Sequence, residues 1–228
     1  MEEDVRVCLL AYTQLNPDVD ALPEPLRHPS GTAQERLVEF AGRVCYRSTD
    51  RMGHGGRFVQ ARVREGHESI VEHVSFTFLV EGISRSCSHQ LVRHRLASYS
   101  QESQRYCDLG PDDQLVMPPA ISQDREAQAI WEQAVAGLQK TYEALRQRGI
   151  RKEDARFLLP NAAATRIVVT MNGRSLRHFL SVRLPRSAQW EIRAVARVML
   201  RLAYPLAPTM LGDLHSRDLA EPDAAEGK

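Results

Sequence analysis

The stretch VSFTFLV, residues 74–80, decides the fold class. Val74, Phe76, Phe78 and Val80 alternate with Ser75, Thr77 and Leu79, the two-residue period that turns one set of side chains into a core and the other away from it. Glu81 and Gly82 are expected to close this strand. Two further runs read as strands: the apolar VRVCLLAY at 5–12 and the β-branched TRIVVT at 165–170.

Helical patterns surround these strands. Thr32 and Glu35 have the spacing of a capping box, and Leu37, Phe40, Ala41 and Val44 follow at intervals of 3, 4 and 7. This predicts a helix that buries that apolar face. The run GHGG at 53–56 interrupts the chain before RFVQARVREG, a shorter helix expected to end at Gly66. ISRSCSHQLVR at 83–93 contains neither glycine nor proline, and a helix there would bring Arg85, His89 and Arg93 together at four-residue intervals. One long helix is expected over 124–149, with Trp131, Val135, Leu138, Tyr142 and Leu145 on a single stripe. KEDARFLLP reads as a short helix stopped by Pro160, and RSLRHFLSVR and AQWEIRAVARVMLRLAY as two more helices.

Because strands and helices do not alternate regularly, the pattern predicts an α+β domain, with helices packed on a central mixed or antiparallel sheet. The expected organisation is a single domain over residues 1–218, followed by a flexible tail at 219–228.

With 43% hydrophobic and 26% charged residues, the chain has the composition of an ordinary folded domain. Its formal charge of +1 supplies no general excess of cations to hold a polyanion, so a nucleic-acid partner is not expected and any basic patch must be local. The opening MEEDVRV is acidic where a secretory signal needs a basic start, and no apolar run approaches the length of a membrane span. A cytoplasmic protein with no membrane partner is expected. Cys8, Cys45, Cys87 and Cys107 form no CxxC pair, which argues against a disulfide framework or a structural zinc site and predicts reduced, mostly buried thiols. HESIVEH separates His67 from His73 by six positions, whereas two metal ligands on one helical face need four, so no metal site is expected.

Two polar clusters remain. In RHRLASYSQESQRY, residues 93–106, Arg93, Arg95 and Arg105 with Ser98, Ser100 and Ser103 offer permanent cations and hydroxyl donors, the groups that grip phosphate. A solvated basic loop is the plain alternative. TMNGRSLRHFLSVRL, residues 170–184, carries Asn172, Arg174, Arg177, His178 and Arg183 directly after an apolar strand. If Asn172 opens a helix, Arg174 lies in its first turn and His178 shares its face. A cation there opposes the helix dipole, which is easier to understand if an anion sits beside it.

RHRLASYSQES has the form R-H-R, seven residues, S, and resembles the signature of the flavin-dependent thymidylate synthases. GHESIVEH is similar to that family's G-H-x-S-x-x-E-H segment, GISRSCSHQLVRHR to the helix leading into the signature, ARFLLPNAAATRIVVT to its central arginine and strand, and NGRSLRHFLSVR with AQWEIR to its last block. The matching stretches run in order from His67 to Arg193.

The resemblance implies that family's α+β fold and the conversion of deoxyuridine monophosphate (dUMP) to thymidine monophosphate (dTMP). Methylenetetrahydrofolate would be the carbon donor and FAD, reduced by NADPH, the hydride source. It further implies a homotetramer whose active sites are shared between subunits. Carried over by position, Ser69, Arg93, His94 and Arg95 contact FAD, with Gln101 nearby and Asn172, Arg174 and His178 completing the flavin site. Gln90, Arg93, Gln101, Glu102, Ser103, Gln104, Arg105 and Arg156 hold the nucleotide. Arg183 matches the arginine placed against the uracil ring; its pKa is too high for proton exchange, so its implied catalytic role is to favour the ring anion electrostatically.

Ser103 has no histidine at an obvious spacing to act as its base and reads as a phosphate ligand. Cys87 reads as buried packing instead of an attacking thiolate. The chain departs from the family pattern at Ser100 and Gln101, where many relatives carry asparagine and glutamate, and at Leu184, Pro185 and Arg186. Pro185 is expected to end the helix directly after Arg183.

Overall fold

Among the described residues, four strands form a wholly antiparallel sheet: β1 (Arg6–Tyr12), β2 (Ser75–Ser84), β3 (Ala97–Gln101) and β4 (Ala164–Asn172), hydrogen-bonded in the order β1-β2-β4-β3. The structure is a computed structural model that describes residues 5–27, 30–107 and 115–220. The alternation in β2 does what its period requires. Val74, Phe76, Phe78 and Val80 are completely buried, and from the neighbouring strand Ile167, Val169 and Met171 join them. Helices α7 (Gly173–Arg183) and α8 (Trp190–Ala203) contribute Leu176, Phe179, Leu180, Ile192, Val195 and Met199 to the same core. Each such side chain taken from water stabilises the fold by about 1.5–3 kcal/mol.

The remaining helices are α1 (Ala33–Val44), α2 (Gly55–Arg64), α3 (Arg85–Leu91), α4 (Pro119–Ser122), α5 (Arg125–Gln147), α6 (Lys152–Ala155) and α9 (Pro208–Ala220). α9 returns onto α2, α7 and α8, burying Met210, Leu211 and Leu214. Its last residues, Leu219 and Ala220, fall within the expected tail; residues 221–228 lie outside the described residues.

Several details differ from the sequence reading. Gly82 does not close β2. It takes a φ of +73°, the register with β4 shifts between Glu81 and Ile83, and the strand continues to Ser84 as a bulge that a residue with a side chain would resist. The middle of the R-H-R stretch forms β3, in which Ala97, Tyr99 and Gln101 are half-buried and Ser98 and Ser100 exposed. The two-residue period is present there, but small hydroxyl side chains disguise it. α3 ends at Leu91, so Arg93 stands in the following turn instead of in line with Arg85 and His89. Of the cysteines only Cys87 is buried; Cys8, Cys45 and Cys107 are exposed.

α1 has the predicted capping box at Thr32 and Glu35 but turns a different face inward. It buries Gln34, Glu35, Val38, Glu39, Gly42 and Arg43, while Leu37, Phe40 and Ala41 are half-covered and Val44 is exposed. The polar side chains can be buried because each finds a partner. Gln34 donates to the Thr13 carbonyl at 2.6 Å, Glu35 accepts from Thr209 Oγ1 at 2.6 Å, and Arg43 pairs with Glu39 at 2.6 Å.

α5 carries its expected stripe on its less exposed side, with only Tyr142 fully covered. Asp124 caps its start by accepting from Glu126 and Ala127, and Gly149, at φ +81°, follows its end.

Candidate active site

The site is built where the C-terminal end of β4 passes into α7 and where α3 passes into β3. Asn172 caps α7 by accepting the Ser175 N–H at 2.9 Å, as its position at the strand end predicts. Gly173 lets the helix start flush against the turn Glu68–His73: a Cβ there would collide with the Val71 carbonyl and approach Met210 Sδ to 2.8 Å. This close start holds Arg174 over the turn, where it pairs with Glu72 at 2.6 Å and approaches Glu68 at 3.9 Å. One turn further, buried Arg177 joins Glu68 at 3.2 Å to Asp213 of α9 at 2.7 Å, and also donates to the Met210 carbonyl.

Across from α7, the turn after α3 supplies Arg93, His94, Arg95 and Leu96. Together with Arg174, Ser175, His178 and Glu68 they line an open cleft of about 530 Å³. Guanidinium and imidazole donors thus dominate it.

His94 is one of these lining residues. Its ring stands perpendicular to Phe179, with centroids 5.0 Å apart, and edge-on to His178 at 5.7 Å. Nε2 accepts a hydrogen bond from Arg183 Nε at 3.1 Å, and Arg183 Nη1 reaches Gln90 Oε1 at 3.4 Å. Nδ1 is buried and has no hydrogen-bond partner among the described residues. Burial, then the nearby charges of Arg183 and His178, draws His94 down to about 4, so the imidazole is neutral near pH 7. The Tyr99 hydroxyl, pushed up to about 12 by burial, lies 2.9 Å and 2.8 Å from the carbonyl oxygens of Leu91 and His94 and fixes the turn between α3 and β3.

A second polar cluster gathers at the other end of α3. Gln101 donates to Ser88 Oγ at 2.8 Å and to Thr165 Oγ1 at 3.3 Å. Arg85 donates to the Glu102 carbonyl at 3.1 Å, and burial followed by the charge of Arg156 lowers its pKa, which marks two neighbouring guanidinium groups. The Glu102 carboxylate pairs with Arg166 at 2.8 Å and Arg105 with Glu153 at 3.1 Å. Ser103 and Gln104 are half-buried in the same segment.

The structure therefore brings Arg93, His94, Arg95, Arg174 and His178 into one cleft. Ser69 is exposed beside Glu68 in the adjacent turn, Asn172 serves as the α7 cap, and Gln101 lies with the second cluster instead of the cleft. Gln90 and Arg183 meet between the two groups, while Glu102, Ser103, Gln104, Arg105 and Arg156 share the second.

Sequence patterning missed the acids that set these cations. Glu68 and Glu72 sit four residues apart, and their charge answers the unfavourable position of Arg174 at the helix start from within the chain. Their i, i+4 spacing was the available signal. Pro185 does follow the end of α7 at Arg183, with Leu184 as its cap. Among the described residues, no group of three or more metal-ligating side chains gathers.

Comparison with known proteins connects this geometry to a family. The model of the thymidylate synthase complementing protein family matches residues 29–209. A flavin-dependent thymidylate synthase of Geobacter sulfurreducens is 46% identical over 188 residues, 78% of this chain and 81% of its own. Those of Pyrococcus furiosus and Nitratidesulfovibrio vulgaris are 52% identical over 201 residues and 50% over 226, covering 86% and 90% of this chain and 78% and 84% of theirs. Among solved structures, the UMP/dUMP methylase PolB of Streptomyces cacaoi, bound with 5-Br dUMP, superposes with a TM-score of 0.73 at 25% identity over 93% of this chain and 95% of that one. With its R-H-R turn and with Arg174 and His178 of α7 lining one cleft, the chain belongs to the flavin-dependent thymidylate synthase family.

Proposed function

We propose that this protein converts dUMP to dTMP by reductive methylation, with methylenetetrahydrofolate as carbon donor and FAD, reduced by NADPH, as hydride source. The observation that carries this reading is the contact of Arg183 with both His94 of the R-H-R turn and Gln90 of α3. It joins a cleft rich in cations to a second cluster of hydroxyl, amide and guanidinium groups.

The donor set fits a flavin dinucleotide. Arg93, Arg95 and Arg174 offer charge-assisted donors to a diphosphate, and His178 and Leu96 offer flatter, less polar surface. Arg174 would exchange the Glu72 carboxylate for this anion, and Ser69 and Asn172 would add contacts from the adjoining turn and cap. When bound, the reduced flavin supplies the reducing equivalents. For the nucleotide, Ser103, Gln104, Arg105 and Arg156 take the phosphate, while Gln90, Gln101, Glu102 and Arg93 hold the base and sugar. A guanidinium acts as a fixed cation and not as a proton carrier, so the role proposed for Arg183 is electrostatic. It lowers the energy of negative charge developing on the pyrimidine ring.

Two candidate nucleophiles are disfavoured by their surroundings. Ser103 Oγ accepts from the Arg105 N–H, and no base among the described residues hydrogen-bonds to it. Burial, followed by the charge of Glu191, pushes the Cys87 thiol up, away from the reactive thiolate.

We further infer a homotetramer with shared sites. Val44, Tyr46 and Ile130 are each more than half exposed on one chain, at 52%, 63% and 69%, and the cleft is open on one side. Arg105 and Glu102, held here in ion pairs within the chain, would contribute with Gln101 to a site that a neighbouring subunit completes. No described helix is long and apolar enough to cross a membrane, and we place the enzyme in the cytoplasm.

The test is the visible absorbance of the purified protein, followed by dTMP formation from dUMP with methylenetetrahydrofolate, FAD and NADPH, each omitted in turn. A yellow protein that needs all of them is expected. A colourless protein that does not bind added FAD overturns the reading.

A further inference from the structure

We propose that His94 is a positioning residue for Arg183, its unprotonated Nε2 fixing the angle of the guanidinium and so coupling the flavin cleft to the pyrimidine site. The inference rests on the assignment of Arg183 to the pyrimidine ring. Its first support is chemical direction. A guanidinium N–H can only donate, so Nε2 of His94 must present its lone pair, and the proton of the neutral ring resides on Nδ1. That single tautomer makes the contact directional.

The second support is the rigidity of the holder. The His94 N–H donates to the Leu91 carbonyl at 3.2 Å, its own carbonyl accepts from Tyr99 at 2.8 Å, and its ring is set edge-on against buried Phe179. Arg183 has only one other partner among the described residues, the longer contact to Gln90 at 3.4 Å. His94 thus makes the shorter of its two restraints.

The third support is charge. Arg174 and Arg177, on the same helix, are each bound by carboxylates, whereas both partners of Arg183 are neutral. A carboxylate at the position of His94 would orient the guanidinium equally well but would also satisfy its charge. A neutral imidazole orients it and leaves its field directed at the ring. The depressed pKa of His94, due first to burial and then to Arg183 and His178, keeps the imidazole in this form.

The experiment compares the full-length, FAD-loaded variants His94→Gln, His94→Asn, Arg183→Lys and His94→Asn/Arg183→Lys. Glutamine places an amide oxygen where Nε2 stood; asparagine does not reach it. FAD affinity is measured separately by quenching of flavin fluorescence on titration of the apoprotein. We expect His94→Asn to lower kcat by about tenfold, the size of one hydrogen bond to a charged group, with a smaller change in KM for dUMP and in FAD affinity. His94→Gln should restore most of that kcat. In the Arg183→Lys background, which lacks the Nε donor, His94→Asn should change kcat by less than about twofold, since the two changes remove one interaction.

Independent, multiplying effects in the double variant overturn the proposal, as does a loss of FAD affinity as large as the loss of kcat. Failure of glutamine to rescue a variant that still binds FAD overturns it too. A wild-type protein that binds FAD but forms no dTMP overturns the functional reading and the inference together.

Discussion

Glu191 of α8 accepts two hydrogen bonds from Ser84, one from the backbone N–H and one from Oγ, each 2.6 Å long. Ser84 Oγ in turn accepts the Cys87 N–H at 3.0 Å and so caps α3. A buried carboxylate 107 residues away in sequence therefore sets the start of the helix that carries Arg85, Ser88 and Gln90.

Replacing Glu191 with alanine should cost about 2–3 kcal/mol, because Ser84 loses a charged partner inside the core. Glutamine should cost less. Burial raises the Glu191 pKa above its ordinary value of 4.5, against the opposing pull of the Ser84 bonds. The folded state then holds this proton more tightly than the unfolded chain, so the contribution of Glu191 to stability diminishes as pH rises from about 4.5 through the raised value. Urea unfolding across pH 4–7 checks this sign: Glu191→Gln should flatten that part of the profile, and an unchanged profile would refute the assignment.

Arg177 makes a second buried tie, between the Glu68 turn and α9. Arg177→Ala should destabilise the protein by about 3 kcal/mol, the low end for breaking a buried pair, since the Asp213 side chain keeps 46% of its exposure. Burial alone would raise the Asp213 carboxyl, but the Arg177 guanidinium outweighs it and holds the carboxyl below the usual 3.8. This stabilisation is fully present above pH 3.8 and is lost as pH falls through the lowered value. The variant should therefore lose less stability on acidification than the wild type in thermal unfolding below pH 4.

Much of the fold is legible in local pattern. The alternation at 74–80, the β-branched run of β4, the caps at Thr32 and Asn172 and the end of α7 before Pro185 each follow from a short-range rule, and each is where the rule puts it. The buried face of α1 is not legible, because the partners that make Glu35 and Gln34 compatible with a core, Thr209 and Thr13, come from distant segments. At the site, the identities of Arg93, His94, Arg95, Arg174 and His178 can be read from motif and helix phase. The placement of Gln101 with Ser88 and Thr165, and the contact of Arg183 with His94, depend on how β3 pairs with β4 and on where α7 crosses the turn.

Arg183→Ala should retain bound flavin while losing dTMP formation by a hundredfold or more, roughly the effect of removing one preorganised charge at a reaction centre. The measurement is flavin absorbance after gel filtration beside dTMP formation. Normal turnover in this variant would reject the catalytic assignment, and loss of flavin would move Arg183 into the cofactor site.

Gly173 separates structural from binding effects at the start of α7. Any Cβ at this position collides with the Val71 carbonyl and crowds Met210 Sδ at 2.8 Å and Val74 Cγ2 at 3.0 Å, and a backbone carbonyl cannot yield as a side chain can. Gly173→Ala should therefore lower stability by about 1–3 kcal/mol and push α7 away from the Glu68–His73 turn. Because Arg174 and His178 move with the helix, FAD affinity should fall as well. Arg174→Ala supplies the contrast: its side chain is half exposed, so the melting temperature should change little while FAD affinity drops. Melting curves and FAD titrations of both variants test this division. A Gly173→Ala protein as stable as the wild type would show that the turn can retreat, and unaltered FAD affinity in Arg174→Ala would remove that arginine from the cofactor site.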